Sequence, residues 1–527
     1  MRMTSARARR LLLGGAVVVV LLVLFSTGAA VLLKNRLVAG ANRRLVGYTV
    51  EARGLTVYPW NLELLFHDIT VRQDAHPEPA VARIPRMDVE LQWLALFRGR
   101  IVASAHIDSP TLSINVAQLR TEADGPLQFR QRGWQRLPEL YPLEVNEFVI
   151  RNATLAYTAQ DAQRPLELSR GLLEVHNIRH VDRQVSRYPS PVHASAIVFQ
   201  TGSASFDGAV DLLSFSRPIY QGMVSLSAVP LVTLGPVLRG FPLSIKGGIL
   251  EARGDIQADT NGTLARLSHV QIADLHADYI ASSDPAVIQA GRRAATIARQ
   301  AAREPKLKLE LAELLVNGEF GFQNQTRAPH YRLFLRDATL SAQQVYNHDT
   351  QSESNFALSG LLMGEGHAWV HGAFRSGTPQ ADVALDVRVI DAPLRDLNEM
   401  LRAHLRLDVA RGNLSVYSQL LVRNGHVAGY VKPIFSDVKI YGPQDADQGL
   451  WHQVWEHIAD GVRQMLENRR QHDVATVVDL SGPVAGPHTS TLQVLGNALR
   501  NAYIQAIVPG FERSIRIRPR DPAADSR

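Results

Sequence analysis

The chain has 527 residues, 46% of them apolar and 20% charged, with a net charge of +6 and a pI near 9.5. That length exceeds what one compact core fills, so two or more domains or one elongated body are expected, and the composition excludes long disorder. The absence of cysteine excludes disulfides, Cys-ligated zinc, iron–sulfur clusters and a Cys nucleophile, and the basic residues do not interleave with aromatics as a nucleic-acid surface requires.

Arg2, Arg7, Arg9 and Arg10 form a basic segment, 1–10, ahead of the uncharged run LLLGGAVVVVLLVLFSTGAAVLL, 11–33. As a helix that run is about 35 Å long, enough to cross a hydrocarbon core of about 30 Å. It reads as a single transmembrane helix. A cleaved signal peptide, with Gly28 and Ala30 before the cut, is the alternative. Lys34, Arg36, Arg43 and Arg44 nearly balance the basic residues in front, so charge alone does not orient the span. An N-in, C-out anchor is the simplest arrangement, with the body in the periplasm.

From 34 to 280 the chain reads as a first β region, with turns marked by Gly, Pro, Asn and Asp. PTLSINV, LEVNEFVIRNATLAY, HASAIVFQTGSASFDGAVDL and GGILEARGDIQAD all carry strand patterns. A second β region spans 306–446. In it Leu307, Leu309 and Leu311 share a face, as do Leu414, Val416, Leu420 and Val422. The clearest alternation is ADVALDVRVI, where Ala381, Val383, Leu385, Val387 and Val389 fall on one side and Asp382, Ala384, Asp386 and Arg388 on the other. A short phrase recurs as IDSPTLSI, IRNATLAY and LRDATLSA, with an irregular period, so the architecture is repetitive without being a counted solenoid.

Helices are few. In a connecting segment, 281–305, Asp284 is placed as N-cap and Pro285 at the first helical position. Its stripe of Val287, Ala290, Ala294, Ile297 and Ala301 is mostly alanine, which suits packing on a sheet edge better than lying on a membrane. DAPLRDLNEMLRAHL, 391–405, reads as a short amphipathic helix between strands. Within a C-terminal region, 447–510, Trp451, Trp455, Ile458 and Val462 line one helix, and Leu492, Leu495, Leu499 and Ala502 another. An Arg-rich tail, 511–527, follows.

No P-loop, GxGxxG, GxSxG or HExxH is present. Ser436 and Lys439 form S-x-x-K, but their neighbours alternate like a strand instead of opening a helix. His367 and His371 would lie about 13 Å apart on one strand face, too far for one directly bound metal. His176 and His180 fail for the same reason, and His452 with Glu456 reads as solvated helix surface. No catalytic, cofactor or metal residue is assigned, and the chain reads as a non-enzyme.

Residues 47–115, running GYTVEARGLTVYPWNLELLFHDITVRQ and then PAVARIPRMDVELQWLALFRGRIVASAHIDSPTLSIN, resemble the opening of AsmA-like proteins of Gram-negative bacteria. The branch in question is the one long described as a domain of unknown function. PKLKLELAELLVNGEFGFQNQTRAPHYRLFL, the stretch from DLNEMLRAHL to DVKIYGP, and VDLSGPVAGPHTSTLQVLGNALRNAYIQAIVPGFE are similar to its later parts. The resemblance implies a mainly β protein behind one transmembrane helix: an elongated, strongly curved antiparallel β-sheet groove with a few amphipathic helices. It implies no cofactor. The implied role is binding or conducting phospholipid acyl chains from the inner membrane, in lipid transport and outer-membrane biogenesis. On that view Leu307, Leu309, Leu311, Val383, Leu385, Val387, Val389, Leu414 and Val416 are candidates to line the groove. A filled sandwich core would give the same alternation. A non-enzymatic assembly factor that binds outer-membrane proteins or cell-wall machinery is the alternative function.

Overall fold

The computed structural model describes residues 30–43, 45, 47–98, 101–118, 121, 143–158, 165–178, 188–212, 219–235, 242–259, 262–285, 288–289, 307–348, 352–375, 382–405, 408–423, 426–440, 473–475 and 478–483. Most of the expected transmembrane run, most of 281–305, the helices expected at 447–470 and 490–510, and the Arg-rich tail lie outside these residues. Among the described residues, no helix is long and apolar enough to cross a membrane.

The chain is mainly β, and it divides into two compact units. Unit 1 holds residues 1–237 and 253–263; unit 2 holds 238–252 and 264–527. In unit 1, β1 (Tyr48–Tyr58), β2 (Glu63–Gln73) and β3 (Ala82–Leu91) form an antiparallel ladder. β3 then pairs with β4 (Ile101–Asp108) and β5 (Thr111–Asn115). Both β4 and β5 run parallel to β6 (Leu143–Thr158), after which β7 (Leu166–Ile178), β8 (Ser190–Val198), β9 (Gly202–Asp211) and β10 (Ile219–Pro230) continue antiparallel. The sheet is therefore mixed, which corrects the antiparallel expectation. The long connection between β5 and β6 allows the reversal, because parallel neighbours need a crossover and not a tight turn.

The strands β11 (Leu243–Asp259) and β12 (Gly262–Ala281) contribute to both units. Unit 2 then runs as successive antiparallel hairpins: β13 (Leu307–Asn324), β14 (Tyr331–Tyr346), β15 (Ser354–Leu362), β16 (Gly366–Arg375), β17 (Asp382–Pro393), β18 (Val409–Arg423) and β19 (His426–Ile440). The short strands β20 (Asp473–Ala475) and β21 (Val478–Pro483) both pair with β19. Between β17 and β18 the chain forms a 3₁₀ turn, Leu394–Leu397, and a helix, Asn398–Leu405. At the expected connector, the Ile288 N–H donates to the Asp284 carbonyl, the spacing of a first helical turn.

The recurring sequence phrase has a backbone cause. Asp68, Ser109, Asn152, Asp274, Asp337, Asp391 and Asp437 all have φ near +50°, and each follows an apolar residue two positions earlier. Asn and Asp tolerate this left-handed conformation better than other side chains with a Cβ. At Asn152, Asp337, Asp391 and Asp437 the ladder pairing slips by one residue, as in a β-bulge. Each slip moves the inward-facing positions by one. In β17 the buried residues are Val383, Leu385, Val387 and Val389 before Asp391, and Ala392 and Pro393 after it, followed by the buried Leu394 of the 3₁₀ turn. In β14 they pass from Tyr331 to Ala338 and Ala342 across Asp337. The bulge keeps apolar side chains on one face although the sequence changes phase.

Asp337→Val should destabilise the protein by about 1–2 kcal/mol, because a β-branched residue resists the left-handed conformation, whereas Asp337→Gly should be nearly neutral. Urea unfolding of both variants tests this, and equal losses would remove the backbone explanation.

Candidate functional site

The alternation in ADVALDVRVI becomes one buried side of unit 2. Val383, Leu385 and Val387 pack with Leu420 and Val422 of β18, and the half-buried Phe356, Val370, Phe374 and Val427 border them. All nine belong to five successive strands, β15 to β19. Cross-strand register brings them together: Val383 opposes Val422 and Phe374, Leu385 opposes Leu420, and Val387 opposes Val370. Gly372 opposes both Phe356 and Leu385, and a Cβ there would come within 2.5 Å of the Phe356 ring. Glycine at 372 thus leaves room for that ring beside Phe374, whose centroid lies 6.1 Å away.

A second apolar cluster joins the first along the same strands. Val389, Leu414, Val416 and Val431 meet Leu394, Leu397, Met400 and Leu401 of the 3₁₀ turn and helix. The helix stripe, stepping by three and four, covers this end of the face. Its ends are fastened by polar bonds. Asn398 donates to the Val409 carbonyl at 2.9 Å and accepts from the Val409 N–H at 2.8 Å. Near the other end, the Tyr331 hydroxyl accepts from the Asn324 amide at 3.0 Å and lies 2.8 Å from His404 Nε2. Fully burying an apolar side chain of this size is worth about 1.5–3 kcal/mol, so the cluster holds the helix more firmly than its short length would.

Six of the nine sequence candidates, Val383, Leu385, Val387, Val389, Leu414 and Val416, therefore lie on a common buried face. Leu307, Leu309 and Leu311 belong to neither cluster: Leu307 is 51% exposed, Leu309 is half-buried, and Leu311 is buried opposite Val345. Ser436 and Lys439 lie within β19, not at a helix start. His367 and His371 fall on the exposed side of β16, where His367 stacks on Trp369.

A charged cluster elsewhere in unit 2 corresponds to no motif legible in the sequence. The Asp278 side chain is only 2% exposed, yet it accepts from Arg332 at 2.6 and 2.9 Å and from Lys246 at 3.0 Å. Arg332 also bonds Glu319 at 2.7 Å, and its guanidinium and that of Arg336 both lie over the Phe334 ring. The carboxylate sits directly above Gly321, where a Cβ would fall 1.8 Å from Oδ1. Lys246, His276, Asp278, Glu319 and Arg332 line a depression of about 450 Å³. Burial pushes the Asp278 carboxyl up, but the hydrogen bonds from Arg332 and Lys246 outweigh it and hold the group below its ordinary value. The Arg332 guanidinium is correspondingly raised, chiefly by its bond to Asp278. Lys246, Asp278 and Arg332 come from β11, β12 and β14, so no local spacing in the sequence joins them. Both cations already have carboxylate partners, and the cluster reads as a structural lock rather than a ligand site.

No protein-family model matches the sequence, and no curated protein matches it.

Two measurements check this arrangement. Leu385→Ala should destabilise the protein by about 2–4 kcal/mol by leaving a cavity, while Leu421→Ala, on the wet side of the neighbouring strand β18, should change stability by less than about half a kcal/mol. Asp278→Asn should lower stability by about 1–2 kcal/mol, discounted because Lys246 and Arg332 are partly solvated. Because the native carboxyl is held low, its contribution is fully present above the ordinary carboxylate range and is lost as pH falls through the lowered value. The difference between wild type and Asp278→Asn should shrink accordingly in acid unfolding curves.

Proposed function

We propose that this chain is a non-enzymatic envelope protein, anchored in the inner membrane by residues 11–33, whose periplasmic body holds phospholipid acyl chains against the apolar side of unit 2. The observation that carries the reading is the composition of that side. Among the described residues the strands belong to one sheet, and the apolar side of β15–β19 is built by ladder neighbours and covered at one end by the 394–405 segment. A sandwich core, the rival explanation of the alternation, is made by two sheets laid face to face. A single layer whose apolar side chains shield one another suits a sheet curved toward that side, the groove that the AsmA-like resemblance implies. Half-buried Phe356, Phe374, Val370 and Val427 would then be the first groups to meet an acyl chain. Val389, Leu414 and Val416 would stay under the helix.

Such a surface would shield hydrocarbon from water while headgroups stayed solvated, a contribution of about 0.8 kcal/mol for each methylene covered. No bond need be made or broken, so the reading requires no catalytic residue.

A photoreactive phenylalanine derivative placed at Phe356 or Phe374 of the full chain in Gram-negative cells should yield phospholipid adducts by mass spectrometry. The same group at Leu421, on the opposite side, should yield few. Adducts to envelope proteins at 356 and 374, with no lipid, would favour the assembly-factor reading.

A further inference from the structure

The largest concentration of exposed apolar side chains among the described residues lies in unit 1. It is built from the turn at 59–62, between β1 and β2, and the helix Trp93–Phe97, between β3 and β4. Phe97 is 83% exposed, Trp60 75% and Leu94 70%, and Trp93 and Leu96 are also exposed. The helix sequence is WLALF, five apolar residues in succession, none of them buried. One helical turn has little stability of its own, and a helix that hides nothing contributes nothing to a core.

The feature is nevertheless held in a fixed shape. Trp93 Nε1 donates to the Trp60 carbonyl at 3.1 Å, joining turn to helix, and the Leu91 N–H donates to the Leu62 carbonyl at 3.1 Å, joining the turn to the end of β3. Trp93 and Phe97 stack with centroids 6.0 Å apart, and Trp60 packs beside Tyr58 at 5.7 Å. The polar edge of Trp93 is thus satisfied within the protein. The feature forms a tip, because it lies where β1 and β3 end and β2 begins.

We propose that this tip seats in the interfacial layer of an anionic phospholipid bilayer. Three features select a bilayer over a protein groove. The apolar groups project from strand ends. Tryptophan and phenylalanine dominate, the residues that favour the headgroup boundary. Arg98, exposed at the end of the helix, supplies positive charge beside the apolar groups, and neither the turn at 59–62 nor the helix contains an acidic residue; this is the charge complement of anionic headgroups. β1 spans about 36 Å at the usual rise, so the tip stands that far from residue 47, at the far end of β1 from the expected anchor. The contact does not depend on acyl chains being carried by unit 2, so either proposal can fail alone.

The chain lacks cysteine, so one introduced thiol can carry a polarity-sensitive fluorophore without competing labels. The full chain bearing Leu94→Cys, and a control bearing Gln221→Cys on the exposed side of β10, would be reconstituted in unlabelled vesicles and mixed with separate phosphatidylcholine–phosphatidylglycerol vesicles doped with nitroxide lipid. The label at 94 should be blue-shifted and about threefold more strongly quenched than the label at 221. Adding Trp60→Ser and Phe97→Ser should abolish the difference while far-UV circular dichroism stays unchanged. Equal quenching at 94 and 221 would overturn the proposal. So would a blue shift at 94 that grows with protein density and is indifferent to nitroxide lipid, since a second copy of the chain would then cover the tip.

Discussion

The arrangement depends on a backbone constraint: a strand that must keep one face apolar cannot change the phase of its sequence without a residue that absorbs the slip. Asn152, Asp337, Asp391 and Asp437 do this by entering the left-handed region within long strands. Side chains alternate strictly along a strand, so an uncorrected one-residue change would turn every later apolar group into water. The bulge at Asp391 is the clearest case. It lets the chain leave the row Val383–Val389 and still deliver Ala392 and Leu394 to the same buried side. From there Leu394, Leu397, Met400 and Leu401 fold back over Val389, Leu414 and Val416.

The two sides of unit 2 then follow different physics. One side is stabilised by area removed from water, with branched aliphatic residues in register across β16, β17 and β18. The Asp278 cluster relies on charge, and a nearly buried carboxylate persists there only because two cations bond to it. Small residues mediate both. Gly372 makes room for the Phe356 ring, and Gly321 leaves space above the backbone for the Asp278 carboxylate. Larger residues at either position would force apart groups that come from different strands.

Unit 1 adds a third use of apolar side chains. Val175, Ile178, Val192 and Val210 are buried together across β7, β8 and β9, an ordinary packed cluster. Trp60, Trp93, Leu94, Leu96 and Phe97 are instead exposed and held in place by hydrogen bonds. Residues of the same type thus serve packing in one part of the unit and presentation in the other. Hydropathy cannot separate the two, because the difference lies in whether a neighbouring strand has a facing position to cover them.

Local pattern is enough to read the chain as mainly β, to give β17 and β18 an apolar side each, and to place a helix after Asp391. Strand period and helical spacing are local properties, and residues 381–390 and 391–405 display them without help from the rest of the chain. The repeated phrase was also visible, although its meaning as a left-handed bulge needed the backbone. Strand partners came only from the tertiary structure. Leu307, Leu309 and Leu311 alternate as well as Val383, Leu385 and Val387, yet they join neither apolar cluster, because facing is fixed by the neighbouring strand. The parallel pairing of β4 and β5 with β6 arises from a long crossover that no short window contains. The meeting of Lys246, Asp278 and Arg332 has the same origin: side chains from separate strands become neighbours only once the ladder has formed.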